Sequence, residues 1–99
     1  MQNFHIGMFD ELFEAVLKLK DKNECRKFFE DVCTIKELQD ITQRLEVAKL
    51  LVAKYNYQEV CKKTGASTAT ISRVNKCLSY GGGGYEMVID RLQKKGEEK

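Results

Sequence analysis

Tyr57 to Leu78, YQEVCKKTGASTATISRVNKCL, reads as two short helices meeting at a sharp turn. Val60, Cys61 and Thr64 recur at helical spacing, Gly65 stops the first helix, and Ser67 offers a side-chain oxygen to cap a second. Gly65 stands where the chain must turn abruptly, at a positive φ that a residue with a Cβ resists. Cys61 is expected where the two helices cross, with a side chain small enough to let them approach. This is the pattern of a helix-turn-helix.

At about 100° per residue, Ile71, Val74 and Leu78 share one face of the second helix, while Ala69, Arg73 and Lys76 lie opposite, flanked by Thr70 and Ser72. Small outward residues let a helix backbone sink into a major groove, where hydroxyls meet base edges and methyl groups touch thymine. Charge points the same way. Between Lys54 and Leu78 the basic residues Lys54, Lys62, Lys63, Arg73 and Lys76 face Glu59 alone, a local balance of +4 on a chain whose net charge is only +2. Met1 to Ala53 is acidic, with 8 basic and 10 acidic residues. Two helices and a turn also suit a module that docks a protein partner, and it is the concentration of positive charge on the motif that favours DNA.

Outside the motif, the 99 residues fit a single domain over 1–99 whose core is small for a monomer, so pairing of two copies would add stability. The chain has no Pro, and 32% of it is charged, as in a soluble helical protein. Asp10, Glu11 and Glu14 stand where a signal peptide would be apolar, and the longest apolar run is Leu50 to Ala53, so a cytoplasmic location with no membrane partner is expected. Cys25, Cys33, Cys61 and Cys77 form no Cys-x-x-Cys; each lies on or beside an apolar stripe, which predicts free thiols packed as small hydrophobes and no metal site. His5, the only histidine, falls in an N-terminus expected to fray. No acid, base and nucleophile converge, so neither an enzyme nor a bound cofactor is expected.

Apolar residues from Met8 to about Lys20 recur at three- and four-residue steps, predicting an amphipathic helix. Asn23 is then expected to cap a second helix to about Cys33, with Cys25, Phe28, Phe29 and Val32 on its apolar side. Helices this rich in Phe and Leu need a large cover, which a partner subunit would supply. Thr34-Ile35-Lys36-Glu37 is a capping box opening the longest helix, to about Lys54, with Ile35, Leu38, Ile41, Leu45, Ala48, Leu51 and Val52 as its apolar stripe. Tyr55 and Asn56 read as a link. Gly81 to Gly84 lack the Gly-Lys-Ser/Thr of a phosphate loop and read as a connector letting Tyr80 or Tyr85 pack near the second motif helix. A last helix is expected from about Glu86 to Lys95, then a solvated tail over 94–99.

Gly65-Ala66-Ser67-Thr68-Ala69-Thr70-Ile71-Ser72-Arg73, the capped helix from Thr34 and the short last helix together resemble the tryptophan repressor family. The string from Ser67 to Val74 and the Tyr80-to-Tyr85 segment are closer still to its YerC/YecD branch. The resemblance spans Met8 to Leu92, nearly the whole chain. It implies an all-α helical bundle forming an intertwined homodimer, and a transcriptional regulator, usually a repressor, that reads a palindromic operator in double-stranded DNA. Carried over by position, the DNA-contacting residues are Gln58, Cys61, Thr68, Ala69, Thr70 and Ser72; Lys62 and Lys63 join them on charge, with Arg73 and Lys76 on the outward face. An effector pocket would involve Arg44, Arg73, Val74 and Cys77. Val74 replaces a Gly that leaves room for an indole, Cys77 replaces a Ser, and Arg44 is one residue nearer the motif than the family spacing. These departures count against tryptophan and leave a different small-molecule corepressor, or none.

Overall fold

The computed structural model describes residues 6–97, so His5 lies outside the described residues. Every element among them is helical: a short 3-10 turn over Ile6–Phe9, then α1 (Asp10–Leu17), α2 (Lys22–Val32), α3 (Ile35–Val52), α4 (Tyr57–Thr64), α5 (Thr68–Tyr80) and α6 (Gly84–Glu97). The backbone falls into two compact units, divided within α3 between Leu38 and Gln39.

In the first unit, the apolar repeat that predicts one helix from Met8 to Lys20 is split. It begins as the 3-10 turn, and α1 closes at Leu17, where Lys18 and Leu19 donate to Ala15 and Val16 in tight bonds of 3.1 Å. The cap of α2 is Asp21, not Asn23. Its carboxylate accepts from the Glu24 amide at 2.8 Å, and the Glu24 carboxylate accepts from the Lys20 amide at 2.9 Å. Glu24 favours Asp21 over Asn23 as the cap, because its amide reaches the Asp21 carboxylate three residues back while its own carboxylate takes the Lys20 amide just before the helix. Neither α1 nor α2 buries a residue in the single chain: Phe13 is 56% exposed and Leu17 81%.

Thr34 and Glu37 form the expected capping box, with the Thr34 amide donating to Glu37 at 2.8 Å and the Glu37 amide donating to Thr34 at 3.0 Å. Of the stripe predicted along α3, Ala48 is buried and Leu38, Leu45 and Leu51 are half-buried, but Ile35, Ile41 and Val52 are exposed. Val47, absent from that stripe, is fully buried. The reason is positional: the interior of the second unit gathers around the second half of α3, where Val47 and Ala48 meet Val60 of α4, Ala66 of the turn, Ile71 and Val74 of α5 and Ile89 of α6. Helices as short as α4 are unstable alone, and each buried Val or Ile contributes about 1.5–3 kcal/mol toward holding them.

Helix α3 ends on a Schellman motif. Tyr55 donates to Leu50 at 3.1 Å and Lys54 to Leu51 at 3.0 Å, which places Lys54 at φ 75 in the left-handed region. At the other end of the motif, Gly81 caps α5, and a Cβ there would stand 2.5 Å from the Cys77 carbonyl oxygen. After it Tyr85, not Tyr80, packs against the core, Tyr80 being 85% exposed. Helix α6 starts at Gly84 and extends to Glu97, past the point where a tail was expected.

Lys54 has a Cβ where the backbone favours glycine. Lys54→Gly is therefore expected to raise the unfolding free energy by about 0.5–1 kcal/mol, read as a higher urea midpoint at fixed protein concentration.

Candidate nucleic-acid interface

Helix α4 is fixed at both ends by its own sequence. Asn56 accepts from the Glu59 amide and Glu59 from the Asn56 amide, both at 2.9 Å, so what reads as a link is a second capping box. Its signal was Asn-x-x-Glu, available in the sequence. At the far end Gly65 adopts φ 74 and donates to the Cys61 carbonyl at 2.8 Å. The Thr64 hydroxyl donates to the Val60 carbonyl at 2.7 Å and accepts from the Ala66 amide at 3.1 Å, closing the turn. Ser67 then caps α5, accepting from the Thr70 amide at 3.1 Å.

These caps settle which side chains face out. On α5, Ile71 and Val74 are buried and Leu78 half-buried, as the 100° spacing requires, while Thr68, Ala69, Ser72, Arg73 and Lys76 are exposed. Thr70 is half-buried, and its hydroxyl accepts a bond from Ser67 at 3.2 Å. On α4, Val60 takes the interior position. Cys61, expected at the helix crossing, is one step of about 100° round and is exposed. Ala66 is the small buried residue between the two helices. Cys77 is exposed as well, and Cys25 and Cys33 are half-buried, so only part of the expected cysteine packing occurs; all four thiols are free.

Gln58, Cys61, Lys62 and Thr68 come together around one open groove of about 610 Å³ across the faces of α4 and α5. Tyr57 joins them and was missed, because its place at the start of α4 reads as helix entry. Lys62 and Lys63 lie in the last turn of α4, where a positive charge also complements the helix dipole. Lys63 is drawn toward the Tyr55 ring, 5.4 Å from its centroid, and Lys62 remains at the groove.

The residues of the expected effector pocket divide. Arg44 and Cys77 line an open, largely apolar pocket of about 590 Å³, together with Ile41, Leu78, Tyr85 and the Gly81–84 segment. Arg73 and Val74 are not part of its lining: Arg73 is on the outward face and Val74 is in the core. Among the described residues no helix is long and apolar enough to cross a membrane, and no three His, Cys, Asp or Glu side chains gather as a metal site.

Among the described residues the scaffold is all-helical and presents a capped helix-turn-helix, small and basic on its outward face, the arrangement found in DNA-binding regulators. The family model described as Trp repressor protein matches residues 8–93, and the chain belongs to that family, one of DNA-binding transcription regulators rather than enzymes. It is 53% identical over 85 residues to the uncharacterized protein YerC of Bacillus subtilis (strain 168), covering 86% of this chain and 82% of that one. Solved structures are similar as well. A TrpR like protein from Eubacterium eligens ATCC 27750 has a TM-score of 0.82 and 55% identity, covering 85% of this chain and 87% of its own. A candidate Trp repressor from Staphylococcus aureus has a TM-score of 0.86 and 45% identity, covering 90% and 89%.

Gly65 has open space where a Cβ would go, so its requirement is conformational rather than steric. Gly65→Ala is expected to lower stability by about 1 kcal/mol, and Gly65→Asn by less, in urea melts of the two variants.

Proposed function

We propose that this protein is a sequence-specific repressor that binds double-stranded DNA as a homodimer, each copy setting one helix-turn-helix into a half-site of a palindromic operator. The observation that carries the proposal is the shared groove of Gln58, Cys61, Lys62 and Thr68, beside the exposed Ala69, Ser72, Arg73 and Lys76. Short outward side chains on α5 allow close approach to base edges, and the cations flanking them meet phosphate. Thr68, Ala69 and Ser72 would read sequence. Lys62, Arg73 and Lys76 would supply affinity without sequence preference, with Lys63 and Thr70 in supporting places because each already has a partner.

A second copy also answers the exposed apolar residues of α1 and α2. Leu12, Phe13 and Leu17 on α1 and Val32 on α2 are too many large apolar side chains to leave in water, and helices of two subunits packed together would cover them. An effector, if one acts, would enter the pocket between Arg44, Cys77 and the glycine segment. Tryptophan is not the effector we propose: Val74, at the position where the resemblance leaves room for an indole, is buried in the core, and neither it nor Arg73 lines this pocket.

The test is the salt dependence of duplex binding. Lys62→Ala is expected to weaken binding to all duplexes alike and to reduce the slope of log K against log salt by about 0.9, the value for one phosphate contact. Thr68→Ala should leave that slope unchanged and alter which sequence is preferred. An affinity independent of salt in the unaltered protein would contradict the electrostatic role of this face. Sedimentation at micromolar concentration is expected to show a dimer; only an 11.4 kDa species would contradict two-site binding.

A further inference from the structure

The helix-turn-helix is joined to α3 by apolar packing and by one directional contact. Val47 and Ala48 of α3 pack with Val60, Ala66, Ile71 and Val74, and the driving force for that burial is non-directional. A hydrogen bond is directional. Gln43, half-buried on α3, supplies one at the turn itself: its side-chain Nε2 donates to the Thr64 carbonyl oxygen at 3.2 Å, across 21 positions of sequence.

Thr64 is the last residue of α4, and its carbonyl is one of the groups a helix end leaves without a partner inside the helix. The other bonds at the turn are local. Thr64 to Val60, Ala66 to Thr64 and Gly65 to Cys61 fix the shape of the turn, whereas the Gln43 amide connects that shape to α3. We infer that Gln43 is a positioning residue for DNA recognition, its amide holding the end of α4 so that α5 meets the duplex at one angle. This rests on the DNA-reading role of the α4–α5 face.

Loss of such a tether acts selectively. Phosphate contacts from mobile cations survive a small rotation, but base contacts do not, so specific binding falls while non-specific binding persists. The experiment compares Gln43→Met, which keeps length and loses the donor, Gln43→Glu, which places an acceptor against the Thr64 carbonyl, and Gln43→Lys, which restores a donor. Each is measured against the duplex the unaltered protein selects and against a scrambled duplex, with circular dichroism melts alongside.

For Gln43→Met and Gln43→Glu the specific-to-non-specific affinity ratio is expected to fall about tenfold for each half-site, the order of one lost hydrogen bond per copy, with non-specific affinity within about twofold. Gln43→Lys should recover the ratio, which a uniform gain from its added charge does not change. A ratio unchanged in Gln43→Met, a parallel loss of both affinities, no recovery in Gln43→Lys, or failure of the Met and Glu variants to fold would each overturn the inference. If the unaltered protein selects no duplex, the DNA-reading role fails first and the inference falls with it.

Discussion

Two helices of eight and thirteen residues can share one interior only if the chain between them reverses within the span of Gly65 to Ser67, and the left-handed backbone at Gly65 permits that reversal. The reversal delivers Ala66 into the core and Ser67 onto the first turn of α5, where it serves the Thr70 amide. With both ends so defined, Val60, Ile71 and Val74 face inward together, against Val47 and Ala48 of α3. Everything outward of those positions is left for contact with something else. The Thr64 hydroxyl reinforces the same corner, so the turn does not depend on glycine alone.

A division of labour follows along each helix. In α4 adjacent residues do opposite work, Val60 in the core and Cys61 at the outer groove. In α5 the core residues Ile71 and Val74 alternate with the exposed Ser72 and Arg73. A helix that must both anchor itself and approach a duplex has room for only small or charged groups on its second face, and Thr68, Ala69, Ser72, Arg73 and Lys76 meet that condition. Glu59, the one acidic residue between Lys54 and Leu78, is used by the capping box with Asn56, which adds a structural reason for its place in a basic region.

The motif was legible in the sequence because its determinants are local. Gly65, Ser67 and the spacing of Ile71 and Val74 specify geometry over a few residues, and Thr34 with Glu37 does the same for α3. Features that depend on tertiary surroundings were not legible. The α3 stripe was assigned by period, but the core lies against only its second half, which leaves Ile41 exposed and buries Val47. Size suits Cys61 to a helix crossing, but Val60 has the interior angle. The Asp21 cap and the Asn56 box have local signals, since in each a Glu stands three residues on and donates its amide to the cap. The Gln43 tether could not be read at all, since no local pattern links residues so far apart.

The proposed role of the α4–α5 face is to read a palindrome in duplex DNA. The most direct measurement is selection of random duplexes by the purified protein at near-physiological salt, with and without a mixture of amino acids that includes tryptophan. Enrichment of two inverted half-sites about one helical turn apart, with no requirement for tryptophan, is the expected result. A pool that stays random in both arms would contradict it and point to a protein partner at this face.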